Sequence, residues 1–282
     1  MKYFLLILVV YLLSSCVLTL PDNLSSSYIK DADSAVKYRA EYGLKNDLPL
    51  EYKNETGMRF SLVPAGTYLV GSPIAEAKRQ KKEKQHLVTI TKAYYIGVTE
   101  ITQGEWLQVL EENPSKFLGN DFPVDQVSFE DAVEFAHSYS LNGNLKYRLP
   151  TEAEWEIACR AGTTTPFGGN GNIEEMAWYH LNAESKTHAV ATKQPNHFGL
   201  YDMHGNVWEW TSDTSGEYPE GNLTDPKAKN AVSGNHVKRG GSYLTSASVC
   251  RSAYRHLFVP MVYRQTNTGF RLVFQADQLK PR

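Results

Sequence analysis

A chain of 282 residues that is 41% hydrophobic and 12% aromatic can bury a sizeable core, as one large or two modest domains. Its 29 Lys and Arg against 31 Asp and Glu leave a net charge of -2 and a pI near 6.5, so there is no basic field and nucleic acid is excluded as an expected partner. Three cysteines, with no CxxC and no metal-ligand spacing, exclude a disulfide framework and a thiolate metal site.

Lys2 precedes an apolar run from Tyr3 to Leu13, which is too short to span a bilayer comfortably but fits a signal-peptide core. The run ends Leu13-Ser14-Ser15-Cys16, a small-residue pair followed by Cys that resembles the bacterial lipobox. The resemblance implies a signal peptide over 1–15 and a lipidated Cys16 at the mature N-terminus. An ordinary secretory signal with an incidental Cys16 is the alternative. The expected location is the bacterial cell envelope, lipid-anchored at the outer membrane and surface exposed, with the membrane itself a partner through the lipid. Residues 16–49 read as a polar tether containing a short helix over Asp31–Tyr42.

The body is expected over 50–275, followed by a polar tail at 276–282. Phe60 to Gly71 reads as two short strands joined by a tight turn. Ala75 to Gln85 is a basic loop interrupted by Glu76 and Glu83, expected to be solvated. His86 to Tyr95 alternates as a strand. Three helices have readable starts: Thr102 with Glu105, running to about Glu112; Ser128 with Asp131, running to Asn142-Gly143; and Thr151 with Glu154, ending at Gly162. Val127, Phe129, Val133, Phe135 and Ala136 are the expected apolar side of the second. Trp155, Ala158 and Cys159 are that of the third, which makes Cys159 a small buried hydrophobe. Long irregular stretches follow, 163–196 and 212–236, on either side of the segment Gly199-Leu200-Tyr201-Asp202-Met203-His204-Gly205-Asn206-Val207-Trp208-Glu209-Trp210.

Three blocks carry a resemblance: Arg148-Leu149-Pro150-Thr151-Glu152-Ala153-Glu154-Trp155-Glu156, the Gly199–Trp210 segment, and Arg239-Gly240-Gly241-Ser242 leading to Gly269-Phe270-Arg271. In this order they resemble the formylglycine-generating-enzyme, or sulfatase-modifying factor, family over roughly Glu51 to Phe274. The resemblance implies an α+β fold, a C-type-lectin-like fold elaborated with short strands, few helices and long ordered loops. The family's enzymes oxidise a substrate cysteine with copper held by two of their own cysteines, five residues apart after the GGS turn. Here those positions are Thr245 and Cys250. A hydroxyl cannot replace a thiolate on Cu(I), so no catalytic residue and no cofactor is expected, and Cys250 reads as a packing residue. Oxygen ligands from the Asn206–Glu209 motif bind calcium in some family members, but a hydrogen-bonded turn suits these residues as well, and no metal is assigned.

A narrower resemblance covers residues 239–274, to family members diversified by retroelements that mutate adenines. The fixed letters Arg239-Gly240-Gly241-Ser242, Ala247, Cys250-Arg251-Ser252-Ala253, Arg255, Pro260, Arg264 and Gly269-Phe270-Arg271 stand at the matching intervals. Randomising the adenines of an Asn codon that ends in a pyrimidine yields Tyr, Leu, Thr, Ser, Val, His and Phe but never Lys, Glu, Gln, Met or Trp. Gly240 to Phe274 contains no Asp, Glu or Lys, and only Met261 and Gln265 depart from the codon rule. The resemblance implies that Tyr243, Leu244, Thr245, Ser246, Ser248, Val249, Tyr254, His256, Leu257, Phe258, Val259, Val262, Tyr263, Thr266, Asn267 and Thr268 bind ligand. Tyr243, Tyr254, Phe258 and Tyr263 are the expected anchors. Strand alternation is expected to turn some inward, such as Leu244, Val249 or Val262. Arg251, Arg255, Arg264 and Arg271 are expected to be structural. The expected function is a non-catalytic lipoprotein that binds an unknown protein or cell-surface ligand. The alternatives are an oxidase-like enzyme or a non-diversified envelope module.

Overall fold

The structure is a computed structural model that describes residues 29, 31–218, 220–228 and 234–280, apart from the Phe258 side chain. The signal peptide and Cys16 lie outside the described residues.

Four helices begin at a closed capping box, in which the N-cap and N3 side chains bond each other's backbone N–H. They are α1 (Ala32–Asn46, capped by Asp31), α2 (Gln103–Leu107, Thr102), α3 (Phe129–Leu141, Ser128) and α4 (Glu152–Arg160, Thr151). A single-turn α5 (Ile173–Met176) follows. In α3 the buried residues Ala132, Phe135, Ala136, Tyr139 and Ser140 follow helical spacing. Val133 falls outside that stripe and is 44% exposed, against its expected packing role. Helix α2 stops at Leu107, short of Glu112, because the following N–H groups bond in tighter turns and the Trp106 indole donates to Glu112 O at 2.7 Å.

The described residues hold eleven strands: β1 (Glu51–Lys53), β2 (Arg59–Val63), β3 (Gly66–Val70), β4 (His86–Ile90), β5 (Tyr94–Gly97), β6 (Trp208–Thr214), β7 (Leu223–Thr224), β8 (Asn235–Arg239), β9 (His256–Pro260), β10 (Thr268–Gly269) and β11 (Val273–Gln275). They form three sheets, ordered β1-β2-β5-β11, β3-β4-β7 and β10-β6-β8-β9. Two expectations change here. The strands within Phe60–Gly71 exist but do not pair, because Pro64-Ala65 hands the chain from one sheet to another. The single strand expected over His86–Tyr95 is two strands, in different sheets.

The first sheet is buried on both faces. Phe60, Leu62, Tyr95 and Phe274 point into one apolar cluster with Trp106, Phe135, Trp210 and Phe270. Val63, Tyr94, Ile96 and Val273 point into a second with Trp155, Ala158, Cys159 and Phe198. Period-two alternation thus feeds two cores from one sheet, and each fully buried large side chain contributes about 1.5–3 kcal/mol. Helix α1 is docked rather than part of a loose tether. Arg39 Nε donates to Leu62 O at 2.9 Å and Arg39 Nη2 to Leu50 O at 2.6 Å, while Ala35 is fully buried. The expected tail is docked too: Ala276 N–H bonds Ala93 O at 2.9 Å, and Leu279 packs on the first cluster.

Candidate functional site

Helix α4 is apolar except for its charges, yet all nine of its residues are buried. Its carboxylates meet the arginines of the C-terminal stretch. Arg255 grips Glu152 through two 2.6 Å hydrogen bonds. Arg239 pairs with Glu156, which also takes Arg160 Nε at 2.9 Å. Arg271 grips Glu209 at 2.6 and 2.7 Å, and Glu209 also accepts the Trp155 indole N–H at 2.7 Å. Arg251 grips Glu83 with two bonds of 2.8 Å and also binds Glu76. Two-pronged guanidinium–carboxylate pairing fixes orientation as well as distance. Arg264 differs, pairing with Asp131 at the surface with its side chain 57% exposed.

The sequence reading gives none of these acids an arginine partner. The signal for Glu152 and Glu156 is a pair of carboxylates one helical turn apart, separate from Glu154, which the capping box uses. Glu76 and Glu83 carry no such signal. The basic loop was expected to be solvated throughout, but these two side chains are 2% and 0% exposed, because Arg251 draws them inward.

Beneath the stretch lies a second acidic group. Glu100 accepts Val207 N–H and Asn206 Nδ2–H, both at 3.2 Å, and its carboxyl is raised well above the usual range by burial and by Asp202 and Glu209. Asp202 is pushed up to about 6, mainly by burial. Asn206 Oδ1 accepts His188 N–H at 3.0 Å, so Asn206 and Glu209 both have protein partners.

At the family's copper positions the donors do not suit the metal. Thr245 Oγ1 accepts Ser242 N–H at 2.8 Å, donates to Ser242 O at 3.0 Å, and lies 3.3 Å from Cys250 Sγ. Burial pushes the Cys250 thiol up to about 11, which keeps it protonated at neutral pH. Cys159 is buried, with its thiol pushed up to about 12 and its Sγ 3.7 Å from His204 Nε2.

Of the remaining letters of the stretch, His256, Tyr254 and Asn267 meet Trp208. Leu244, Ser246, Val262 and Tyr263 are exposed, while Thr245, Ser248, Val249, Tyr254, His256, Leu257, Thr266 and Asn267 are half-buried. Asn267 Nδ2 donates to Ser242 Oγ at 3.0 Å, and Asn267 O accepts Trp208 N–H at 2.8 Å, which brings the two ends of the stretch together. The Trp208 ring stacks on His256 at 4.9 Å and approaches Tyr254 at 6.0 Å.

Three expected contact residues are buried instead. Tyr243, an expected anchor, is 1% exposed, with its hydroxyl donating to Thr266 O at 3.1 Å and its ring edge-on to Phe117. Val259 faces the first core from β9, and Thr268 accepts from the buried Lys238 Nζ at 2.9 Å. Conversely, Leu244 and Val262, named as candidates to turn inward, are 50% and 60% exposed. The Phe258 side chain lies outside the described residues.

The chain belongs to the sulfatase-modifying factor enzyme 1-like domain family, which matches residues 45–276. It is 29% identical to the chaperone protein LppX of Paenibacillus barcinonensis, over 57% of this chain and 73% of that one. It is 36% identical to the formylglycine-generating enzyme of Streptomyces coelicolor, over 55% of this chain and 53% of that enzyme, and so spans about half the enzyme's length. Among solved structures, it is similar to Treponema denticola variable protein 1, with a TM-score of 0.73 and 29% identity over 80% of this chain and 99% of that one. PvdO from Pseudomonas aeruginosa matches with a TM-score of 0.72 and 26% identity, over 80% of this chain and 97% of that one. The fold is the expected C-type-lectin-like one, mixed α+β with few helices.

Proposed function

We propose that the protein is a non-catalytic binding protein, displayed on a lipid anchor at a bacterial envelope, whose ligand contacts are the diversified letters of the stretch 239–274. One observation carries the reading. Arg239, Arg251, Arg255 and Arg271 are buried in ion pairs, whereas Leu244, Ser246, Tyr254, His256, Val262 and Tyr263 are at least partly exposed. Structural load and surface are thereby divided between two sets of residues in the same segment. The likeness to Treponema denticola variable protein 1 supports this division. Tyr263 and Tyr254 are the contacts with the largest expected loss on truncation, since aromatic side chains give area at low entropic cost.

The test is a graft. Replacing Leu244, Ser246, Tyr254, His256, Val262 and Tyr263 with another codon-compatible set is expected to change which ligand binds while the melting temperature moves by no more than about 5 °C, since each surface substitution away from special features stays within about 0.5 kcal/mol. A graft that unfolds the protein overturns the division.

The formylglycine-generating relatives support an oxidase as the second reading. A copper titration separates the two. The wild-type protein is expected to bind Cu(I) no better than Cys250→Ser, whereas Thr245→Cys gains binding, because a second thiolate completes a linear pair for a soft ion. Tight wild-type binding together with turnover of a cysteine-containing peptide would establish the enzyme instead.

A further inference from the structure

We propose that the basic loop 78–84 is a fixed cationic wall of the variable surface, and that it selects acidic segments of partner proteins. The inference rests on the binding reading above and adds the chemistry of the partner.

The loop carries Lys78, Arg79, Lys81, Lys82 and Lys84 with only Glu83 among them, and Glu76 just before. In sequence the two acids stand among the cations as if to temper them. In the fold they do not, because both carboxylates point inward to Arg251 and are buried. Lys78, Lys81 and Lys84 are left exposed, with Lys82 and Arg79 half-buried. The acids facing these cations from outside are Glu217 and Glu220, both exposed, the latter 3.5 Å from Lys84. The variable stretch itself adds no carboxylate.

The loop is continuous with the variable surface. Arg251, a fixed letter of the stretch, holds Glu83 and Glu76, and Arg255 Nη1 donates to Lys82 O at 3.4 Å. Lys82 Nζ lies 5.6 Å from the centre of the Tyr254 ring. Lys82 also helps lower the proton affinity of His256, after burial and Lys238. A ligand seated at positions 254 and 256 therefore meets Lys82 whichever residues those positions hold.

The surroundings of the loop, rather than the type of cation, favour an acidic protein segment over a phosphate or sulfate ligand. The guanidinium forks of Arg239, Arg251, Arg255 and Arg271 are already closed on protein carboxylates. What remains outward is mostly lysine, a mobile, strongly hydrated point charge that steers any anion without a planar, two-pronged grip. The Tyr- and Ser-bearing surface beside it suits protein contacts.

The test uses the full chain in detergent and three probes: a fluorescent Glu-rich peptide containing two Tyr, its Gln-substituted counterpart, and a sulfated oligosaccharide. The Glu-rich peptide is expected to bind at least tenfold more tightly than the Gln form, with affinity falling steeply with salt. The combined variant Lys78→Gln, Lys81→Gln, Lys82→Gln, Lys84→Gln is expected to lose that preference with an unchanged melting curve. Equal binding of the two peptides, an unaffected quadruple variant, or capture of the oligosaccharide alone overturns the proposal. A graft of the variable letters separates the two readings. If the graft alters peptide choice while the lysine changes do nothing, the wall is refuted and the variable surface stands. If the lysine changes act and the graft does nothing, the wall stands and the variable surface is refuted.

Discussion

Arg271→Ala is expected to destabilise the fold by about 3–5 kcal/mol, the range for removing one partner of a buried ion pair. Arg271 is fully buried, and besides gripping Glu209 it donates to Gly97 O at 2.9 Å and Tyr201 O at 3.0 Å. It is also the cation that lowers the cost of Glu100 and Asp202 nearby. Without it, three buried carboxylates face one another. The pH dependence follows from the raised proton affinities. A carboxyl whose folded pKa exceeds its unfolded value binds more protons in the folded state, so its contribution to stability falls as pH rises through the folded pKa. For Asp202 that window runs from its ordinary value near 4 up to about 6. Loss of Arg271 moves the window upward, so the deficit of the variant is expected to be largest at pH 8 and to narrow toward pH 5. Urea unfolding at the two pH values measures it. Arg264→Ala is the control, since its surface pair with Asp131 is expected to contribute no more than about 1 kcal/mol. Equal losses in the two variants would refute the contrast between buried and surface arginines.

Gly205→Ala carries the second large effect. Gly205 has φ +146°, a region that side chains avoid, and an added Cβ would sit 2.2 Å from Trp178 O. That carbonyl accepts Asn206 N–H at 2.7 Å, so displacing it also breaks the turn holding Asn206 against Glu100. Backbone strain of about 1–3 kcal/mol adds to the steric cost. The expected loss is about 3 kcal/mol or more, which for a domain of this size is on the order of 10 °C in melting temperature by calorimetry. Gly143→Ala, at a position with open space, is expected to stay within about 0.5 kcal/mol. Comparable shifts at the two glycines would show that the turn is not the constraint.

What could be read from the sequence was what is local or strictly spaced. Thr102, Ser128 and Thr151 announce their helices because a capping box needs only four residues. The fixed letters from Arg239 to Arg271 were legible as intervals, and the structure gives four of their five arginines a buried carboxylate partner. Sheet membership was not legible. Phe60–Gly71 reads as two strands joined by a turn and His86–Tyr95 as one strand, yet each passes between sheets, which alternation alone does not reveal. Tyr243 was misjudged because tyrosine suits a paratope and a core equally well, and only the nearby Thr266 carbonyl decides. Glu76 and Glu83 were misjudged for the converse reason: a distant arginine, Arg251, turns apparently solvated acids inward.

Strand β11 has a consequence for synthesis. It pairs with β5, bridges to Arg148, and together with Phe270 and Leu272 completes the first core. On the ribosome these residues emerge after positions 243–268. A transcript cut short or shifted in frame within that stretch therefore yields a chain lacking Arg271, Leu272 and Phe274, with its first sheet unclosed. The first core can thus close only on a chain whose residues 243–268 have been read through in frame.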